Sequence, residues 1–230
     1  PADWLAFPEQ KLLEVTAGAV YHDGLGALTA WRARLRSYPR DVWLLLMAAQ
    51  WQRIAEEEPF VGRAGDVGDD LGSHLLAARL VRDVMRLAFL QARTYTPYGK
   101  WFGTAFARLP AAPALAPLLH DVLAAPGWRE REAALARAYT LLAEAHNALG
   151  LTAPLDAHPG AFHDRPYQVI HAERVAAALG ERIADPALRA LAAAFGLTGG
   201  VDQWIDSTYV LSHADRCRRL ARALRDEDEV

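Results

Sequence analysis

A length of 230 residues and a formal net charge of −3 allow one domain with a core of its own and give no general electrostatic case for nucleic acid or an anionic membrane as partner. Cys217 is the only cysteine, which excludes a disulfide framework and a Cys-based metal knuckle and suits a reducing cytoplasm. The opening residues PADWLAFPEQKLLE do not read as a signal peptide, and the apolar run at 42–49 is far too short to span a membrane. Alanine, leucine and arginine dominate while β-branched residues are scarce, a helix-favouring composition.

In chain order, the first predicted helix begins after Pro8 and runs to Gly18. A second follows Asp23 and Gly24, with Leu25, Leu28, Trp31 and Leu35 at helical spacing, and ends before Pro39. Asp41 is placed to cap VWLLLMAAQWQRIAEEE, whose first half is apolar all round, as in a central buried helix. After Pro59, FVGRAGDVGDDLG reads as a glycine-rich acidic loop or frayed helix start. SHLLAARLVRDVMRLAFLQAR is the longest periodic segment. Leu76, Leu80, Val84 and Leu87 fall on one side; Arg79, Arg82, Arg86 and Arg93 fall on the other.

Beyond Pro97, KWFGTAFARL predicts a shorter helix and PAAPALAP a connector. Further helices are expected at 115–125 and 128–149, followed by a Gly/Pro/His-rich loop to Asp164. A helix is expected near Pro166, capped by Asp164, and another at Asp185–Pro186. The final helices follow GLTGG, and the acidic end at 226–230 reads as a frayed tail. The expected fold is all-α: a compact multi-helix, bundle-like domain over residues 1–225 with room for one very short extended segment, best placed at QWIDSTYVL.

Enzyme motifs are missing: no phosphate loop ending in Lys-Ser/Thr, no Rossmann fingerprint, no HExxH and no GxSxG. GRAGDVG has the glycines of a phosphate loop without its lysine. Asp69 and Asp70 read as N-terminal helix charges, while Asp202 and Asp206, one turn apart, could share a helix face and a divalent cation. Glu56, Glu57 and Glu58 sit at a helix end where the dipole disfavours them, so a distant cation such as Arg63 or the arginine stripe is expected. His146, His158, His163 and His171 cluster around one loop without the spacing of a metal motif. His163, Asp164 and Arg165 read there as a cap with loop-fixing hydrogen bonds.

The arginine stripe carries a stronger signal. Guanidinium groups on one face suit phosphate or carboxylate, or equally ion pairs within the fold. In YTPYGKWFGTAF, Tyr95, Tyr98, Lys100 and Trp101 continue from that helix. Lys100, one of only two lysines, either reaches a ligand or lies over a ring.

The stretches DWLAFPEQKLLEVTAGAVYHDGLG, YPRDVWLLLMAAQWQRIAEEEPFVGRAGDVGDDLGS, YTPYGKWFGTAF, HNALGLT, FHDRPYQVIHAERV and VDQWIDSTYVLS resemble the C-terminal helical region of a bacterial family known as domain of unknown function 4037. Its members look like two-part proteins: a nucleotidyltransferase-like domain followed by such helices, in the manner of aminoglycoside nucleotidyltransferases. The resemblance implies a substrate-side domain in which YTPYGKW, FHDRP and DQWIDS line the acceptor side of a cleft. The nucleotidyltransferase half would supply a Gly-Ser helix start and paired aspartates holding Mg²⁺ around a nucleoside triphosphate, and this sequence has no equivalent of either.

The expected function is therefore a substrate-recognition or scaffold region, not catalytic alone. Its partners would be the missing N-terminal nucleotidyltransferase-like domain and an unknown small-molecule acceptor. The chain itself would carry no cofactor, with Mg²⁺ and a nucleoside triphosphate belonging to a full-length form. The alternatives are a non-catalytic homodimeric interaction protein or a metal-dependent hydrolase using the loop histidines. Residues expected to face substrate or partner are Arg79, Arg82, Arg86, Tyr95, Tyr98, Lys100, Trp101, His163, Asp164, Arg165, Asp202 and Asp206.

Overall fold

The computed structural model describes residues 1–223; the acidic end expected at 226–230 lies outside them. Helix α3 (Arg40–Glu57) runs through the centre, buried continuously from Val42 to Trp51 and again at Ile54, as its all-round apolar composition requires. Helix α5 (Asp70–Gln91) packs against it with Leu80, Val84 and Leu87 fully buried. Both expectations for the core hold, and the fold is mostly all-α. No helix among the described residues is long and apolar enough to cross a membrane.

A 3-10 helix (Ala2–Ala6), α1 (Glu9–Thr16) and α2 (Ala27–Leu35) precede this core, with α4 (Phe60–Asp66) between α3 and α5. Then come α6 (Gly99–Phe106), α7 (Ala112–Ala124) and α8 (Trp128–Ala148), which packs on α5 and α7. An antiparallel hairpin, β1 (Gly160–Phe162) and β2 (Arg165–Val169), leads into α9 (Ala172–Gly180), which lies along α3. The chain ends through α10 (Pro186–Phe195), α11 (Val201–Trp204), α12 (Thr208–Leu211) and α13 (Ala214–Ala223). One apolar cluster draws on residues from Leu5 to Leu188, so the 150–164 loop separates no core from another.

Several local expectations change. The extended segment is the 160–169 hairpin, not QWIDSTYVL, which forms α11 and α12 joined by a short link. Asp164 lies in the hairpin turn, so it caps no helix, and Pro166 belongs to β2. PAAPALAP is largely the first turns of α7, with Pro113 early in the helix, where no N–H is missed.

Asp41 does not cap α3. Its carboxylate accepts the N–H groups of Ala184 (2.8 Å) and Asp185 (2.7 Å), closing the approach to α10. GRAGDVG is mostly helix α4. A Cβ on Gly62 would lie 2.6 Å from Glu132 Oε1 and Tyr167 Cδ1, and one on Gly65 would strike the Trp128 side chain. Those glycines permit close packing against α8 and the hairpin.

The Glu56–Glu58 expectation holds in part. Glu57 pairs with Arg79 at 2.8 Å, whereas buried Glu58 accepts the N–H groups of Ile170 (2.6 Å) and Ala172 (3.1 Å) at the hairpin–α9 junction. Asp69 caps α5 through the Gly72 N–H, and Asp70 pairs with the fully buried Arg131.

Candidate functional site

Helix α5 presents Arg79, Arg82 and Arg86 along one face, because steps of three and four residues return to the same side. Their surroundings differ. Arg79 is held by Glu57, and Arg82 Nη2 lies 2.8 Å from the exposed Asp206 Oδ1. Among the described residues Arg86 makes no hydrogen bond or ion pair; its guanidinium lies 5.9 Å from the Phe102 ring centre. A half-buried group with several N–H donors thus faces open space.

Arg93 leaves the stripe. The helix has ended, and Arg93 takes a left-handed conformation (φ 52°). The Thr94 N–H reaches the Phe89 carbonyl and the Arg93 N–H reaches the Leu90 carbonyl, the Schellman pattern of a helix end. Its side chain donates to the Tyr38 carbonyl (2.9 Å) and covers Trp43.

From there the chain crosses the start of α1. The Thr96 N–H donates to Glu9 Oε2 (2.8 Å), and the Tyr98 N–H donates to Gln10 Oε1 (3.1 Å). Glu9 in turn donates its own N–H to Asp202 Oδ2 (2.8 Å), which brings α11 to the same place. Burial raises the Glu9 carboxyl to about 7, and the nearby Asp202 carboxylate pushes the same way while Arg86 opposes both. Burial also raises Asp202, against the stabilising charge of Arg86. Arg53 and Gln203 fasten α11 to α3: Arg53 Nη1 donates to the Gln203 carbonyl and Gln203 Nε2 to the Leu46 carbonyl, both at 3.0 Å.

Two grooves result. The first, of about 420 Å³, is lined by Arg82, Arg86, Tyr98, Phe102, Asp202 and Asp206. The second, of about 480 Å³, carries Arg53, Arg79 and Trp204 and shares Arg82, Arg86, Asp202 and Asp206 with the first. The arginine stripe is therefore the divide between two adjoining spaces, and Arg86 opens onto both. Glu9 borders only a closed space of about 10 Å³ behind Arg86, so Asp202 is the carboxylate that a bound molecule would meet.

The structure brings together Arg82, Arg86, Tyr98, Asp202 and Asp206, with Arg79 at the far groove. It does so without the shared helix face expected for the two aspartates: α11 ends at Trp204, and Asp206 lies in the link that follows. Tyr95 is buried, its hydroxyl donating to the Leu35 carbonyl and its ring against Tyr38. Lys100 and Trp101 line neither groove; the ammonium lies 5.1 Å from the exposed Trp101 ring centre. His163 packs on Phe162 in the hairpin turn, and Asp164 follows it there. Arg165 borders a separate open depression with Arg63 and Tyr167.

The histidines part company as well. His146 is buried beside Trp51, His158 pairs with Asp156, and His171 faces Glu173 at 3.6 Å. No group of three or more metal-capable side chains forms among the described residues.

Glu9, Gln10 and Phe102 escaped sequence reasoning. A glutamate opening a helix after proline satisfies the dipole rule and raises no question on its own. The adjacency of Glu9 and Asp202, 193 positions apart, has no local signal.

No curated protein and no solved structure matches the chain. Residues 4–102, which include α5 and Tyr98 but stop before α11, match the family described as Domain of unknown function (DUF4037), and this match supports that family for the chain.

Proposed function

We propose that the chain is a substrate-side helical domain that receives an anionic group at Arg86 and Arg82, with Tyr98 orienting the molecule that bears it. The observation that carries this reading is Arg86: a half-buried guanidinium with no partner among the described residues, open to two grooves. A guanidinium offers paired donors to a phosphate or carboxylate, and Tyr98 offers a ring and a hydroxyl beside it. Asp206, exposed and bound only to Arg82, is a counterion that an incoming anion could replace. The natural setting is a nucleotidyltransferase-like protein whose companion domain holds Mg²⁺ and the nucleoside triphosphate, leaving recognition or scaffolding to these helices. Nucleotidyl transfer needs a metal-held triphosphate aligned with its acceptor, and that part is assigned to the companion.

Calorimetric titration with inorganic phosphate, nucleoside monophosphates and nucleoside triphosphates tests the site. Losing a charge-assisted hydrogen bond is worth about 1.5–3 kcal/mol, so Arg86→Ala is expected to weaken binding about ten- to a hundredfold. Lys100→Ala, outside the grooves, should leave it unchanged. Equal affinity for the wild type and a folded Arg86→Ala variant would remove the groove from ligand binding. Pyrophosphate release by this chain alone, given Mg²⁺, nucleotide and an acceptor, would refute the non-catalytic assignment.

A further inference from the structure

Helix α2 is built without a core. None of its residues is buried, and its helical neighbour is α1 alone among the larger contacts. A nine-residue helix is marginal in water by itself, since nucleation is unfavourable and few hydrogen bonds follow. Yet this one is held firmly in place. Arg32 donates to the carbonyls of Thr16 (2.8 Å), Ala17 (3.1 Å) and Gly18 (2.8 Å), binding α2 to the end of α1. Asp23 accepts the Thr29 N–H at 2.7 Å and steadies its first turn.

The platform so fixed displays apolar groups to solvent. Tyr21 is 97% exposed and Leu25 94%, with Leu28 and Trp31 following on α2. Arg34 lies over Trp31, and both Arg34 and Arg36 lack a carboxylate partner among the described residues. The face is apolar with a basic margin.

A second exposed apolar group stands at the start of α5. Val67 is 81% exposed, and Leu71 and Leu75, one helical turn apart, are exposed at 73% and 64%. Its margin is acidic, formed by Asp66, Asp69 and Asp70. Apolar surface at both places, with margins of opposite sign, is the complementarity of two surfaces that fit each other.

We infer that the α2 face of one chain docks on the α4–α5 corner of a second copy, head to tail. Such a contact uses different patches on the two partners, so each pair leaves one of each patch free and association continues into a ring or an open chain. This inference is independent of the groove, which neither patch lines.

Sedimentation velocity over the micromolar range tests it with Trp31→Asp and Leu71→Asp, each checked for helicity by circular dichroism. Wild type should grow beyond two chains with concentration, and more weakly at high salt, where margin charges are screened. Each variant alone should sediment as a single chain, because one of its two patches is spoiled. An equimolar mixture should form pairs and stop there, because the sound patch of one variant meets the sound patch of the other. A wild type that stays a single chain overturns the inference and leaves the α2 face to a different partner. Self-association of Leu71→Asp alone also overturns it, in favour of α2 pairing with α2.

Discussion

On the hairpin side, Glu58 takes two backbone N–H groups, and Arg131, fully buried, donates to Ser73, Ala125, His74 and Asp70. On the groove side, Arg86 has no such partner and Arg82 has one exposed aspartate. The two regions draw on the same residue types, and both include glutamates whose carboxyls are raised to about 7 by burial. They differ in whether the arginine donors end on protein. A buried guanidinium that is satisfied locks a fold, whereas a half-buried one left open makes a site.

The largest expected effect lies beneath both regions. Leu80 is fully buried on the side of α5 turned away from the stripe, and Leu80→Ala should cost about 2–5 kcal/mol in urea unfolding. A negligible change would show that α5 does not carry the core for either region.

Buried carboxyls give the next effect. Glu58 and Glu132 on the hairpin side keep their protons up to about pH 7, while their unfolded counterparts ionise near 4.5. Between those values the native state binds more protons than the unfolded one. Stability is therefore full below about 4.5 and is lost as pH rises towards 7, by about 1.4 kcal/mol per pH unit for each such group. Thermal unfolding at pH 5 and pH 7.5 should show the decline. Glu132→Gln should flatten it, since one of its oxygens is buried without a partner and the amide cannot ionise. An unaltered slope in that variant would mean that its carboxyl is not held neutral.

Gly65→Ala sharpens the comparison from the packing side. The added methyl group meets Trp128, so α4 must shift from α8 at a cost of about 1–3 kcal/mol. Calorimetric melting would show it, and a neutral result would mean that α4 and α8 pack more loosely than described. The smallest effects belong to the groove side. Arg86→Ala should change stability by less than about 1 kcal/mol, since it breaks no hydrogen bond within the described residues. Lys100→Ala should cost about 0.5–1 kcal/mol at most, the worth of an exposed cation over a ring. A severe loss of stability from Arg86→Ala would place that residue with Arg131, among the arginines that hold the fold.

Sequence alone determined the helical centre and the stripe. Residues 42–54 and the buried side of α5 follow from local apolar content and 3.6-residue periodicity, and the common face of Arg79, Arg82 and Arg86 follows from their spacing. The caps at Asp69 and Asp185 were legible for the same reason, because a cap is a contact across two or three residues. The hairpin was not. Asp164 and Pro166 read equally well as a helix start, and what favours the strand is Glu58 and Glu132, drawn from distant helices, together with packing on Gly62.

Tertiary structure also decided which rings are buried. Tyr95 turns inward to Leu35 and Tyr38, while Lys100 and Trp101, two helix positions beyond Tyr98, face away from the grooves. Above all it decided the site, by setting Asp202 against Glu9 and Asp206 against Arg82 while leaving Arg86 open. Those pairings join residues more than a hundred positions apart. Local spacing fixes only which side chains share a helix face, and which arginines on that face find a partner depends on how the rest of the chain packs around it.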